Sequence, residues 1–155
     1  VMLPRKGAYV ANISVKDLMD VLEIRASLEG LGASLAAERR NDEDIKNLEE
    51  LEVEFEEAVR TQNIDMLLKK DIEFHECIFK AANNKKLEKM INTLWEQVQR
   101  FRITYVSDSN ASLSLIDEHQ SILNAIKEGN IADSKKFAIK HIEKAEQFML
   151  EHCTK

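Results

Sequence analysis

The chain's only proline is Pro4, and only four glycines are spread through its 155 residues. A proline inside a helix removes a hydrogen bond and clashes with the turn before it, so the stretch after Pro4 is open to long helices. Apolar residues there recur three and four apart, the period of a helix rather than a strand. Capping signals divide the run. Ser14 and Asp17 have the spacing of a capping box and open a helix over about 15–39. Asn41, before the acidic turn Asp42-Glu43-Asp44, opens a second helix to about Thr61. Asn63 opens a third, which ends near Asn83 and Asn84, and a fourth covers about 86–106. "SDSN" at 107–110 reads as a loop, a fifth helix covers about 111–128 up to Gly129, and Asn130 with Asp133 opens a sixth to about 152. The expected fold class is all-α: an antiparallel bundle of six, at most seven, helices joined by short turns.

Residues 1–14, "VMLPRKGAYVANIS", differ from the rest. A proline, a glycine and the alternating "AYVANI" read as a turn followed by a short strand or extended arm. Arg5 and Lys6 are the only charges there, which leaves 20 bases against 28 acids for the remainder. So acidic a body is poorly suited to gripping phosphates by itself. The chain is 44% hydrophobic, too apolar for disorder and long enough for one domain with a sizeable core. No apolar run approaches the roughly 20 residues of a membrane span, and no signal peptide is visible. Cys77 and Cys153 do not form a disulfide framework, so the cytoplasm is the expected compartment. A first residue of Val rather than Met suggests a fragment or a processed product.

Three of the four histidines interrupt apolar stripes. The third helix places Ile64, Leu68, Asp71, His75, Ile78 and Ala82 on one face. Asp71 and His75 lie one turn apart, near enough to touch one ion together. The fifth helix aligns Leu115, His119, Ile122 and Ile126; the sixth aligns Ala138, His141, Ala145 and Phe148. A buried polar group without a partner costs roughly 2–7 kcal/mol in transfer terms. A lone core histidine is normally satisfied by a neighbouring hydrogen bond. The shared phase on three separate helices points instead to one metal ion held by Asp71, His75, His119 and His141. Such a donor set suits zinc first, with nickel, manganese or iron as alternatives, better than calcium. His152 is a built-in control: eleven residues beyond His141 puts it roughly 16 Å further along the axis, out of reach and toward the surface.

The first helix carries a second interruption. Its stripe reads Leu18, Val21, Leu22, Arg25, Leu28, Gly32 and Leu35, with Glu29 one turn after Arg25. One account is an Arg–Glu pair within the helix. The other is a cation facing an internal cavity beside the metal, where it would favour a small carboxylate. Arg102 and Tyr105 are candidates to line the same cavity. Cys77 reads as a small core residue.

These segments resemble the C-terminal ligand-binding (FCD-type) domain of FadR-subfamily GntR-family transcription regulators. "IRASLEGLGASLAAERR" is similar to that domain's opening helix, "DIEFHECIFKAANNKKL" to its Asp-x-x-x-His helix, and "DEHQSILNAIKEGNIADSKKFAIKHI" to its Glu-His segment and last-helix histidine. The likeness runs over nearly all of 15–150. It implies that Asp71, His75, His119 and His141 bind metal and that Arg25 contacts an effector, commonly a sugar acid or other small organic acid. The fatty-acyl branch lacks the metal set. The resemblance also implies a homodimer, and it makes 1–14 the wing and linker remnant of a DNA-binding winged helix-turn-helix, with 15–155 the effector-binding and dimerisation domain. Asn83-Asn84 replaces the Gly-Asn of many members, a change expected to affect only the turn.

Two other classes stay open. A metal-dependent enzyme would use a bound water as nucleophile. However, "HECIF" lacks the second histidine of HExxH, no Gly-rich phosphate loop occurs, and no Ser or Cys is evidently placed beside a base. A ligand-free structural or dimerisation module would only hydrogen-bond its buried polar groups.

Overall fold

A computed structural model describes residues 14–153; apart from Ser14, the expected wing remnant at 1–14 falls outside the described residues. Within them the chain forms six helices: α1 Val15–Arg39, α2 Asp42–Arg60, α3 Ile64–Ala82, α4 Lys85–Ser107, α5 Ser109–Lys127 and α6 Ile131–Cys153. The described residues contain no strand, and none of these helices is long and apolar enough to cross a membrane.

The caps follow the sequence closely. The Ser14 hydroxyl accepts the Asp17 N–H at 3.0 Å. A full reciprocal box forms at Asn41 and Asp44, with bonds of 2.8 and 3.0 Å. The two asparagines of the α3–α4 turn have separate duties. Asn83 ends α3 in the left-handed region, at φ 51°, and the Asn84 side chain accepts the Leu87 N–H at 3.1 Å. Gly129 turns the chain after α5 at φ 71°, which an L side chain rarely adopts. One expectation is corrected: "SDSN" is not a loop. Ser107 closes α4, Asp108 alone forms the joint, and Ser109 already begins α5. The Asp108 carboxylate accepts the Ala111 N–H at 2.9 Å, so this polar cluster spells an N-cap.

α1 is the central rod. It lies against α6, α3, α4 and α5, while α2 packs on α3 and α5. Two glycines permit its close approach. A Cβ at Gly32 would stand 2.6 Å from the Phe79 ring, and one at Gly30 would stand 2.7 Å from Ile139. Apolar packing fills three clusters. One joins Leu18, Leu22, Phe55, Val98 and Ile142; a second joins Ala33, Leu48, Phe74, Ile122 and Ile126; a third joins Phe79, Leu87, Ile91 and Trp95. Some stripe positions are wetter than expected. Ile64, the first residue of α3, is 38% exposed, and Leu28 and Leu35 are half-buried. Cys77 is half-buried too: it packs on the second cluster and also lines a surface groove.

Phe79 is itself buried and meets Trp95 edge to face at 5.4 Å, so its ring has no free path away from α1. Gly32→Ala should therefore destabilise the fold by about 1–2 kcal/mol in urea unfolding, after a propensity gain of about 1 kcal/mol is subtracted. A stabilised variant would show that α1 can retreat from α3.

Candidate metal centre and adjoining cavity

The three stripe histidines converge. One ring nitrogen each from His75, His119 and His141 lies within 4.8 Å of the others. All three residues are buried, His119 completely. His75 Nε2 and His141 Nε2 are 3.2 Å apart. Asp71 Oδ1 stands 3.2 Å from His119 Nε2 and 3.6 Å from His75 Nε2. The donors of a tetrahedral zinc with bonds of about 2.0–2.1 Å would be separated by roughly 3.3–3.4 Å, so these spacings fit such an ion. His152 is exposed and hydrogen-bonds the Phe148 carbonyl at 2.9 Å, one helical turn back and away from the cluster.

Each imidazole is held from behind by a glutamate. His75 Nδ1 contacts Glu29 Oε1 at 3.0 Å, His119 Nδ1 contacts Glu52 Oε2 at 3.1 Å, and His141 Nδ1 contacts Glu118 Oε1 at 2.8 Å. A carboxylate facing Nδ1 keeps the proton there and turns the Nε2 lone pair toward the cluster. With the three rings neutral, three lone pairs and a carboxylate then meet with no donor among them. His119 Nε2 has no hydrogen-bond partner despite its closeness to Asp71. Around the rings stand two guanidiniums, Arg25 and Arg102, and four carboxylates, Glu29, Glu52, Asp71 and Glu118, all buried; their formal balance is −2. A divalent cation among the Nε2 atoms would satisfy the lone pairs and cancel that charge.

Local electrostatics show the same need. Burial pushes the His119 imidazole down, but the Asp71 and Glu52 carboxylates overcome it and raise it to about 9. Burial pushes His141 down to about 4, with His75 and His119 adding to the effect against Glu118. Burial also raises the Asp71 carboxyl, yet contacts with His119, His75 and Arg102 win and hold it well below the usual range. Without a cation, His119 is thus pulled toward the imidazolium beside an ionised Asp71. Packing fixes the rings: Phe74 stacks on His119 at 4.2 Å and Phe55 meets it at 4.6 Å.

Beside the cluster lies a cavity of about 20 Å³, lined by Arg25, Asp71, His75, Arg102, Tyr105 and His141 among apolar neighbours. A volume above roughly 10–15 Å³ holds one water molecule, so this space is water-sized. Arg25 donates its Nε–H to Glu29 Oε2 at 2.7 Å within α1, and the same side chain lines the cavity. Arg102 is buried rather than solvent-facing. Its Nε lies 3.2 Å from Asp71 Oδ2, its guanidinium sits 5.4 Å over Trp95, and its Nη2 has no partner. Burial pushes the Tyr105 phenol up, so it stays a neutral hydroxyl at the cavity wall. The larger hollows, of about 1250 and 600 Å³, are surface grooves that include none of the three clustered imidazoles.

All six helices contribute to this centre: α1 gives Arg25 and Glu29, α2 Glu52, α3 Asp71 and His75, α4 Arg102, α5 Glu118 and His119, and α6 His141. Glu29, Glu52 and Glu118 escaped the sequence reading as site residues; Glu29 was read only as a partner for Arg25. A signal existed for Glu52, which falls on the apolar stripe Leu48, Phe55 and Val59, but α2 is crowded with glutamates.

A family model described as the FCD domain matches residues 20–144, most of the chain. The chain belongs to the FCD-domain family. Its relatives include GntR-family helix-turn-helix regulators. It is 22% identical over 138 residues to the uncharacterized HTH-type transcriptional regulator YdhC of Bacillus subtilis, covering 88% of this chain and 62% of that protein. To the HTH-type transcriptional regulator LutR of the same species it is 27% identical over 139 residues, covering 86% and 63%. The FCD fold is seen in Escherichia coli McbR/YncC, with TM-score 0.80, 18% identity and coverage of 88% of this chain and 65% of that one. Streptococcus agalactiae GntR gives TM-score 0.75 at 24% identity, covering 89% and 63%. The chain thus spans just under two thirds of the length of these proteins. These relatives are named as transcriptional regulators and not as enzymes.

Arg102 and Arg100 give a matched comparison, since Arg100 is exposed on the same helix. Arg102→Met should cost the metal-free FCD domain about 3–5 kcal/mol in denaturant unfolding, because it strands the buried Asp71 carboxylate, while Arg100→Met should stay within about 0.5 kcal/mol. Equal effects would mean that Arg102 does not hold Asp71.

Proposed function

We propose that this FCD domain binds a divalent transition metal through Asp71, His75, His119 and His141, zinc first, and senses a small carboxylate at Arg25, Arg102 and Tyr105. The observation that carries this reading is the commitment of every Nδ1 to a glutamate, which leaves three Nε2 lone pairs facing one point without a donor. Bound there, the metal would supply a Lewis-acidic position for a carboxylate oxygen. Arg25 and the unpartnered Arg102 Nη2 would hold the rest of the anion by charge-assisted hydrogen bonds, and the Tyr105 hydroxyl would add one more.

The domain would regulate an attached winged helix-turn-helix, as in a FadR-subfamily regulator acting in the cytoplasm. An organic acid larger than water does not fit the cavity as it stands, so it binds only an arrangement whose walls have moved. Such a ligand discriminates between arrangements, and that difference is what can bias DNA-binding heads. The regulator would act as a homodimer. Ile24 and Leu31 on α1 and Met90 on α4 are exposed, and the half-buried Leu28, Leu35 and Leu94 beside them share one apolar cluster, so α1 and α4 present a joint face to a second copy.

Elemental analysis and thermal melting test the sensor reading. About one equivalent of metal per chain should raise the melting temperature in proportion to the logarithm of free metal, and a panel of small organic acids should raise it further only in the loaded protein. His119→Ala and His141→Ala should abolish the metal shift, and His152→Ala should keep it. Equal behaviour of the three variants, or less than about a tenth of an equivalent of metal with no shift, would favour a ligand-free module. Sedimentation tests the dimer: Ile24→Glu combined with Met90→Glu should give a monomer, and a wild-type monomer at micromolar concentration would refute the interface.

A further inference from the structure

The three glutamates behind the imidazoles differ in what their second oxygen does. Glu52 Oε1 is buried with no partner. Glu118 Oε2 takes the Ser114 hydroxyl at 2.6 Å and lies 3.8 Å from Lys144, both on a surface groove. Glu29 alone turns its second oxygen to a cavity residue: Oε2 accepts Arg25 Nε at 2.7 Å, while Oε1 faces His75 Nδ1 at 3.0 Å. Arg25 and Glu29 are 6% and 4% exposed, so bulk water does not loosen this link. A continuous path, Arg25–Glu29–His75, therefore joins the cavity wall to one clustered imidazole.

We propose that Glu29 is a positioning residue that couples the anion cavity to the metal ligands. The inference rests on the metal reading above and adds its regulation. One planar carboxylate serves two directional donors, so the angle set by the Arg25 guanidinium fixes the angle at which His75 is held. An anion that draws Arg25 toward the cavity turns the Glu29 carboxylate and with it the His75 ring. Linkage then requires that anion and metal alter each other's affinity by the same factor.

A field effect would act in the opposite sense. Arg25 is a cation near the metal position, and through space alone its removal would tighten binding of a divalent ion. If the relay dominates, its removal weakens binding, because Glu29 loses its orientation. The sign of one measurement separates the two. Arg102 is a different case, since it contacts Asp71 directly.

The experiment measures Zn²⁺ affinity of the full chain by competition with a chromophoric chelator, with circular dichroism and metal-free melting as folding checks. Arg25→Met should weaken Zn²⁺ about 5-fold. Glu29→Gln should weaken it about 10–100-fold, the range for loss of a carboxylate behind a ligating histidine. The double variant should match Glu29→Gln within about 2-fold, because the path is already cut. Two charge-conserving variants remove the field from the comparison. Arg25→Lys keeps the cation without the Nε donor, and Glu29→Asp keeps the anion on an arm too short to span both partners; both should weaken Zn²⁺. Unchanged or tighter binding in Arg25→Met, equal weakening by Arg25→Met in both backgrounds, or wild-type affinity in Glu29→Asp would overturn the relay. Tight wild-type binding that is indifferent to Arg25 and Glu29 sinks the relay and spares the metal reading; a wild-type chain without a stoichiometric Zn²⁺ site sinks both.

Discussion

Three imidazoles, each backed by a glutamate and aimed at a common point, are the constraint around which this bundle is built. No helix can shift along its axis without disturbing the centre, because every helix contributes to it. Hydrophobic burial would tolerate many registers of these rods. The His–Glu pairs tolerate few, because a buried carboxylate or imidazole that loses its partner forfeits far more than a misplaced methyl group. Gly32 of α1 serves the same end: it lets the central rod lie close to α3, where Glu29 reaches His75, while Gly30 admits Ile139 of α6.

The charge arrangement around the centre is layered. Nitrogen lone pairs and Asp71 stand innermost, the glutamates behind them, and the two arginines face the cavity. Negative charge thus surrounds the meeting point of the imidazoles, while Arg25 and Arg102 put positive charge on the cavity wall beside Asp71. Neither set is balanced by itself, so the cluster and the cavity are electrostatically interdependent. The relatives are named as transcriptional regulators, and under the proposed reading a ligand's preference between two packings would be the useful output.

Much of the fold was legible in the residues. Ser14, Asn41, Asn63, Gly129 and Asn130 mark their helix ends because each has a side chain or backbone freedom that a terminus uses. The histidines were legible by phase, since His75, His119 and His141 break otherwise apolar stripes. "SDSN" misled because serine and aspartate are as much at home in a first helical turn as in a loop. Glu52 was hidden by composition: a glutamate among many announces nothing until coordinates show which one turns inward. Arg102 could not be oriented from spacing, because a long side chain reaches either core or solvent from one Cα. The cavity's size was invisible, being set by the side chains of several helices together.

Asp108 has a consequence of its own. As the whole connection between α4 and α5, it leaves one residue's φ and ψ as the main freedom between the rod carrying Arg102 and the rod carrying His119. That is a stiff elbow, not a tether: tilting one arm swings the other about a known corner, as in a bell crank.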